Sequence, residues 1–437
     1  MIFFYLLISL MPYTNPPLLS RFMGDFAAFR SVGALSVIYA LYYLATRWRA
    51  SGFFRTVQAR LFFLFYLIAT VSYFSRSLYP NPFTSALMVY TSFVVLFFVT
   101  LTIVDSPRRF YWVLFSATAA VTFGSLHVLR EWVMLRNVYA NYRAGASVGD
   151  GNYFATSANL CLPFAYLMIA RAKARWERLF YGGCLAISIV GVTLCASRGG
   201  FIGMVVAFLV LILYSRRRLR NLALAGILVV PLSLALPMSP LRRLRHPQWT
   251  DKAAEDARLT AWKAGMRMIS SHPVFGVGLN NFQRLMRAYA DPGVGFASMA
   301  HNTYIEVGAE LGITGLLTFM GVLVFSYRSL SQARKRALRS GSQRLSTAAF
   351  GLQAGLAGYM AGAFFLSAEY QKLLWLVIFL SMCLPPPGQS AQARKAGKDG
   401  QGEHKQAAQG SHWESLTPEG VLTSGSHYGN LWLTHPS

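Results

Sequence analysis

Apolar residues in this chain come in long, nearly unbroken runs separated by short polar stretches. Each run approaches the ~20 residues an α-helix needs to cross a bilayer. Read this way, the hydropathy predicts twelve spans, over 1–19, 26–46, 60–78, 83–104, 110–129, 152–170, 179–196, 199–214, 220–238, 303–327, 345–366 and 370–384. The expected fold is an all-α polytopic membrane protein: helices 1–9 within residues 1–238, a long loop with amphipathic helices over 239–301, and helices 10–12 within 302–384. From 385 to 437 the pattern changes to "PPPGQSAQARKAGKDGQGEHKQ", rich in Pro, Gly, Gln and Ser. Such a tail cannot bury enough apolar surface to fold and is expected to be disordered and cytoplasmic.

Charge orients this map. The chain carries a formal net charge of +25, which by itself suggests nucleic acid. Nearly half of its 41 Lys and Arg, however, fall in five short connections: "RWRASGFFRTVQAR" at 47, "DSPRR" at 105, "RAKARWER" at 171, "RRRLR" at 216 and "RSLSQARKRALRSGSQR" at 328. With twelve spans all five lie on one side, cytoplasmic by the positive-inside rule, so both termini are expected inside and no nucleic-acid partner is expected. The four cysteines, Cys161, Cys184, Cys195 and Cys383, lie in apolar runs and read as packing residues. Neither a metal template nor a transporter-like internal repeat is recognisable, and no cofactor is expected.

Three places on the opposite, extracytoplasmic side carry candidate chemistry. Arg198, in "CASRGGFIG", has almost no loop to carry it away from the membrane, and Gly199, Gly200 and Gly203 beside it permit close approach of a backbone or ligand. The long loop has more Lys and Arg than Asp and Glu, against the orienting rule, which suggests an anionic ligand such as phosphate or pyrophosphate. Within it, "TDKAAEDARLTAWKAGMRMISSHP" reads as a helix with Thr250 as N-cap and Leu259, Trp262, Met266 and Ile269 on one face, Arg258 beside that stripe. Arg258 could equally pair with Glu255, and His272 before Pro273 reads as a turn residue.

The third place is "MAHNTYIEVGAELGITGLL", Met299 to Leu317. His301 is the last polar side chain but one before the tenth span and suits a proton acceptor, although a histidine at a helix start is also a common capping residue. Gly308, Gly312 and Gly315 fall on one face of a continuous helix and would let another helix pack closely. Glu306 and Glu310 are acids inside the span, either functional or paired with an arginine. Glu369, expected near the outer mouth of the last hairpin, could orient a histidine or bind sugar hydroxyls.

The His301-Asn302 pair, nine intervening residues and Gly312-x-x-Gly315, preceded in order by "SRGGFIG" and "EDARLTAWKAGMRMISSHPVFGVGLNNF", resemble the signature of the O-antigen ligases (the WaaL family), grouped with the O-antigen polymerases and protein O-oligosaccharyltransferases. The resemblance implies a GT-C-like glycosyltransferase of the bacterial inner membrane whose active site faces the periplasm. It implies an undecaprenyl-pyrophosphate-linked glycan as donor, a sugar hydroxyl of the lipid A-core oligosaccharide as acceptor, and no metal. Arg198 and Arg258 match the arginines that hold the pyrophosphate and His301 the catalytic base, with Asn302, Glu369, Gly312 and Gly315 as secondary candidates. The alternatives are the polymerase, the protein O-oligosaccharyltransferase and, in a different class, a lipid-linked oligosaccharide flippase.

Overall fold

The computed structural model describes residues 27–46, 53–76, 86–138, 142–214, 249–291 and 299–384. The spans expected over 1–19 and 220–238, and the tail, lie outside the described residues. Among those described the protein is all-helical, with no strand. In chain order the helices are α1 (Ala27–Thr46), α2 (Val57–Arg76), α3 (Ala86–Ile103), α4 (Pro107–Leu135), α5 (Gly151–Ala158), α6 (Leu162–Ile169), α7 (Arg175–Leu194), α8 (Arg198–Leu213), α9 (Trp249–Ser271), α10 (Phe282–Tyr289), α11 (Thr303–Arg339), α12 (Gln343–Gly362) and α13 (Lys372–Met382).

Within the described residues, 6 helices are long and apolar enough to cross a membrane, and α8 and α13 are shorter apolar helices. Twelve spans are thus not reached in this part of the chain. The span expected over 152–170 is two short helices, because Asn159, Leu160 and Cys161 form a turn and Pro163 starts the second helix. Proline tolerates the first turn of a helix but not its interior. The tenth span runs on to Arg339, so much of the basic stretch after 328 is helix rather than loop. Thr250, expected as a cap, falls inside α9, which starts at Trp249.

Two kinds of packing hold the bundle. Around α13, Trp375 stacks on Phe93 at 5.4 Å and meets Phe62 at 5.1 Å, while Phe379 meets Phe97 at 5.3 Å. Aromatic pairs at such spacing add stabilisation beyond the area they bury. Between α8 and α12 the contact is backbone on backbone: a Cβ added to Gly203 would lie 2.6 Å from the carbonyl oxygen of Gly358. Only small residues allow helices so close, which is how apolar helices gain attraction where no water drives them together.

Contacts sort the connections between the two ends of the bundle. Arg344 reaches Glu177 at 3.3 Å and sits over Tyr111, Arg171 donates to Gln343, and Arg334 lies over the rings of Tyr214 and Phe350. The basic segments near 107, 171 and 328 therefore share one end. The opposite end collects residues 142–151, 195–198, 299–303 and 362–372, and with them Arg198, His301 and Asn302.

Candidate functional site

Three helices begin at this end, each with a side-chain cap. Asp150 Oδ1 accepts from the backbone N–H groups of Asn152 and Tyr153 to start α5. Ser197 Oγ accepts from Gly200 N–H to start α8, and Asn302 Oδ1 accepts from Tyr304 and Ile305 N–H to start α11. Short contacts draw the three starts together. An added Cβ on Gly200 would lie 2.6 Å from Ala155 Cβ, and one on Gly151 3.2 Å from Cys195 Cβ. The Tyr153 hydroxyl donates to Met299 Sδ at 3.5 Å, two residues before His301. Helix N-termini carry partial positive charge and unpaired N–H groups, so their convergence favours an anion.

The cationic side chains sit on this frame. Arg198 is the first residue of α8 and half-buried. Arg258 is half-buried on α9, one turn before Trp262, whose indole N–H donates to the Ala300 carbonyl at 2.9 Å. That bond presses α9 onto the corner holding His301, and the Arg258 charge acts on the imidazole. Trp262 meets Phe364 at 5.4 Å, Phe364 meets Phe365 at 5.3 Å, and Phe365 packs against Gly199. A short chain of rings thus links the Arg198 corner to the Arg258 helix.

His301 itself is held under strain. Its φ is +49°, in the left-handed region that a residue with a Cβ rarely adopts, at a cost of about 1–3 kcal/mol. Asn302 behind it, only 1% exposed, caps α11, and the Glu306 carboxylate accepts from Ala300 N–H at 3.2 Å and from the Ser367 hydroxyl. His301 is half-buried, and its Nδ1 is buried without a hydrogen-bond partner, as is Asn302 Nδ2. Burial, reinforced by Arg258 and opposed by Asp150, holds the imidazole below its ordinary pKa. It is therefore neutral at neutral pH and able to take a proton.

The acids differ from expectation. Glu369 is 1% exposed rather than at the mouth, because Trp375 Nε1 donates to its carbonyl and Tyr359 donates to the Ala368 carbonyl, pinning the connector inward. Glu310 is buried and accepts from Phe282 N–H at 3.1 Å. Among the described residues neither Glu306 nor Glu310 makes an ion pair; backbone N–H groups and hydroxyls serve them. Nor, among the described residues, do three or more His, Cys, Asp or Glu group so as to hold a metal ion.

The glycine motif also reads differently in three dimensions. α11 is broken at Gly312, with φ +72° and ψ −175°, a conformation essentially reserved for glycine. Into the break fits the segment from Pro273 to Gly278: Ile313 N–H donates to the Pro273 carbonyl at 2.7 Å, Val277 N–H to Ala309 at 2.8 Å and Gly278 N–H to Glu310 at 3.1 Å. Ser72 of α2 seals it by donating to the carbonyls of Phe275 and Glu310. Gly308 does face a neighbouring helix, with Ile269 of α9 against it, whereas Gly315 packs on Leu311 of its own helix. "HPVFGVGL" is thus the latch that fixes α9, and Arg258 with it, to α11.

Sequence reasoning missed Asp150, Tyr153 and Arg143. Arg143 Nε donates to the Cys195 carbonyl at 2.7 Å and its guanidinium also binds Asn152, tying the loop before α5 to the Arg198 corner. The signal was an Asp two residues before Asn152 at a helix start, a capping pattern inside what read as an ordinary connection.

A search of curated proteins finds no match. Residues 183–320, which hold Arg198, Arg258, His301, the latch and the break, match the family model described as O-antigen ligase, so over that segment the chain is recognised as resembling the O-antigen ligase and polymerase family.

Proposed function

We propose that the protein is an O-antigen ligase that moves a glycan from undecaprenyl pyrophosphate to a sugar hydroxyl of the lipid A-core. What supports this reading is that three capped helix starts, one of them opening on half-buried Arg198, gather at the end of an apolar bundle that holds the strained His301, with the helix of Arg258 bound to the same corner through Trp262. By the positive-inside rule the opposite, arginine-rich end is cytoplasmic, which turns the site to the periplasmic face of the inner membrane with both termini inside.

Arg198 and Arg258 grip the pyrophosphate, each able to offer two parallel N–H donors, and the helix starts add their partial charge. As the acceptor hydroxyl attacks the anomeric carbon, its proton passes to His301 and the bond to the pyrophosphate oxygen breaks, the electron pair leaving with the pyrophosphate. Attack from the face opposite the leaving group inverts that carbon. The guanidiniums offset charge as it builds on the leaving group, the differential stabilisation that lowers a barrier. No nucleotide is needed, because the polyprenyl pyrophosphate bond is already activated; the family resemblance implies transfer without a metal.

The test is transfer by purified enzyme in detergent with EDTA, offering a lipid-linked glycan with and without lipid A-core, for wild type and His301→Ala. One glycan joined to the core by wild type alone supports the reading. Longer glycan on its own carrier, with no core product, makes the protein a polymerase, and product from His301→Ala at the wild-type rate removes the base assignment.

A further inference from the structure

We infer that Arg143 is a positioning residue for the donor site: by clamping the carbonyl of Cys195 it holds the bend at Ala196 that aims Arg198. The inference rests on the proposed function for its effect on donor binding, whereas the clamp itself is a direct contact between two segments of the chain.

Arg198 opens α8 almost as soon as α7 has ended, with Cys195, Ala196 and Ser197 alone between them. Cys195 closes α7, and Ala196 turns the chain at φ +48°. A left-handed residue just past a helix end is ordinarily glycine, because a Cβ crowds the backbone there. Alanine keeps that conformation only where its surroundings enforce it. Cys195 and Ala196 are no more than 1% exposed, and the Ala196 N–H donates to the Thr193 carbonyl at 3.0 Å. Ser197 then caps α8 at once by accepting from Gly200 N–H, so the direction in which Arg198 leaves the backbone follows from this bend.

Arg143 supplies the hold from outside. Its Nε donates to the Cys195 carbonyl at 2.7 Å, and the same guanidinium binds Asn152 Oδ1. Carbonyls at the end of a helix lack intrahelical partners and carry partial negative charge, so a guanidinium suits them. The arm that carries it is itself fixed. Glu131 of α4 accepts from the N–H groups of Gly145, Ala146 and Ser147 and from the hydroxyl of Tyr142, next to Arg143 in the chain. The loop closes on itself where a Cβ on Gly145 would lie 2.5 Å from Gly151 Cα, and Gly151 in turn packs against Cys195. The acids of this arm are engaged by backbone, Glu131 by the loop and Asp150 by the N–H groups that start α5. Both acceptors of Arg143 are neutral, so its charge adds to that of Arg198 at this end; the test must therefore separate aim from charge.

Arg143→Met keeps the aliphatic stem and removes both hydrogen bonds, while Arg143→Lys keeps the charge and a single donor group. Hydrogen exchange of the peptide covering 195–200, measured on the whole protein in detergent without substrate, reads the bend. Equilibrium binding of an undecaprenyl-pyrophosphate glycan reads the aim of Arg198. For Arg143→Met, faster exchange at 195–200 and a Kd weaker by roughly 3- to 10-fold are expected, an ordinary size for coupling between neighbouring residues, with Arg143→Lys in between. On an Arg198→Gln background the same substitution should change Kd by less than about twofold, because no guanidinium is left to aim. Losses that multiply across the two positions would mean that Arg143 acts on the donor itself, by contact or by charge, and would overturn the inference. A folded Arg143→Met protein with wild-type exchange and affinity would overturn it too. If Arg143→Met does not fold, Asn152→Ala, which removes the second acceptor alone, is carried through the same cycle. Faster exchange at 195–200 in a protein that binds no donor even as wild type would leave the clamp standing and remove the proposed function instead.

Discussion

Replacing Gly312 by alanine should damage the site from more than two helical turns away. Two costs can be read from the structure. Alanine at φ +72° and ψ −175° occupies a glycine-only region, worth about 1–3 kcal/mol. Its Cβ would lie 2.3 Å from the Val274 carbonyl oxygen, 2.5 Å from Val274 C and 2.7 Å from the Pro273 oxygen. These are backbone atoms that cannot rotate away, and overpacking of this kind costs about 1–3 kcal/mol. Relief requires the 273–278 latch to lift, which surrenders the Ile313-to-Pro273 hydrogen bond at about 1 kcal/mol. The total, about 3–7 kcal/mol, exceeds what so short a segment can hold and lies in the lower half of the about 5–15 kcal/mol that holds a folded domain together.

The expected result is local release of the latch in a protein that still folds. Because the latch ties α9 to α11, Arg258 shifts relative to His301, and misplacement by about 1 Å can cost ~100-fold in turnover. Hydrogen exchange of residues 273–278 in detergent, paired with kcat and KM for transfer, measures both halves. Gly183→Ala is the control, since nothing lies within 4 Å of a Cβ there, and it should be neutral or slightly stabilising. If Gly312→Ala keeps wild-type protection at 273–278 and turnover within about twofold, the latch does not position Arg258 and the argument fails; that threshold lies far below the ~100-fold expected.

Four further outcomes follow from the same geometry. His301→Ala should lose ~100- to 10,000-fold in kcat while retaining donor binding, as expected for removal of a general base. Transfer should stay level across neutral pH and fall only below the ordinary histidine range, because burial, and then Arg258, lower the His301 pKa; an acid limb above pH 7 would contradict this. Arg258→Lys and Arg198→Lys should weaken donor affinity despite unchanged charge, since lysine cannot offer the paired donors of a guanidinium, which a donor titration reads directly. Glu306→Gln should be tolerated because an amide oxygen can still accept from Ala300 and Ser367, whereas Glu306→Ala strands the Ala300 N–H and should cost about 1–3 kcal/mol in a denaturation series.

Much of the fold was legible because the lipid environment forces apolar runs of a set length, and these survive as α2, α3, α4, α7, α11 and α12. What was not legible is where a run breaks. Asn159 to Cys161 interrupt the span predicted over 152–170, and the apolar Leu160, Cys161 and Leu162 around the break let a window average hide the single polar Asn159. Gly312 sits at helical spacing from Gly308 and Gly315, so the pattern that suggested a smooth packing face conceals a glycine-only bend, visible only once the latch from Pro273 is seen filling it. For the candidate site, Arg198, Arg258 and His301 stood out in the sequence through charge in unexpected places and through motif spacing. Asp150 and Arg143 were not, because their role comes from a fold that returns the loop before α5 to two corners distant in sequence.

The division of labour at the site is the central claim: the arginines hold the donor and the histidine moves the proton. Equilibrium binding of an undecaprenyl-pyrophosphate glycan to wild type, His301→Ala and Arg258→Gln, measured without acceptor, tests it most directly. The account predicts near wild-type affinity for His301→Ala and a loss of at least ~10-fold for Arg258→Gln, the size of one charge-assisted hydrogen-bonded contact. Equal loss in both variants, or retention in both, would contradict it.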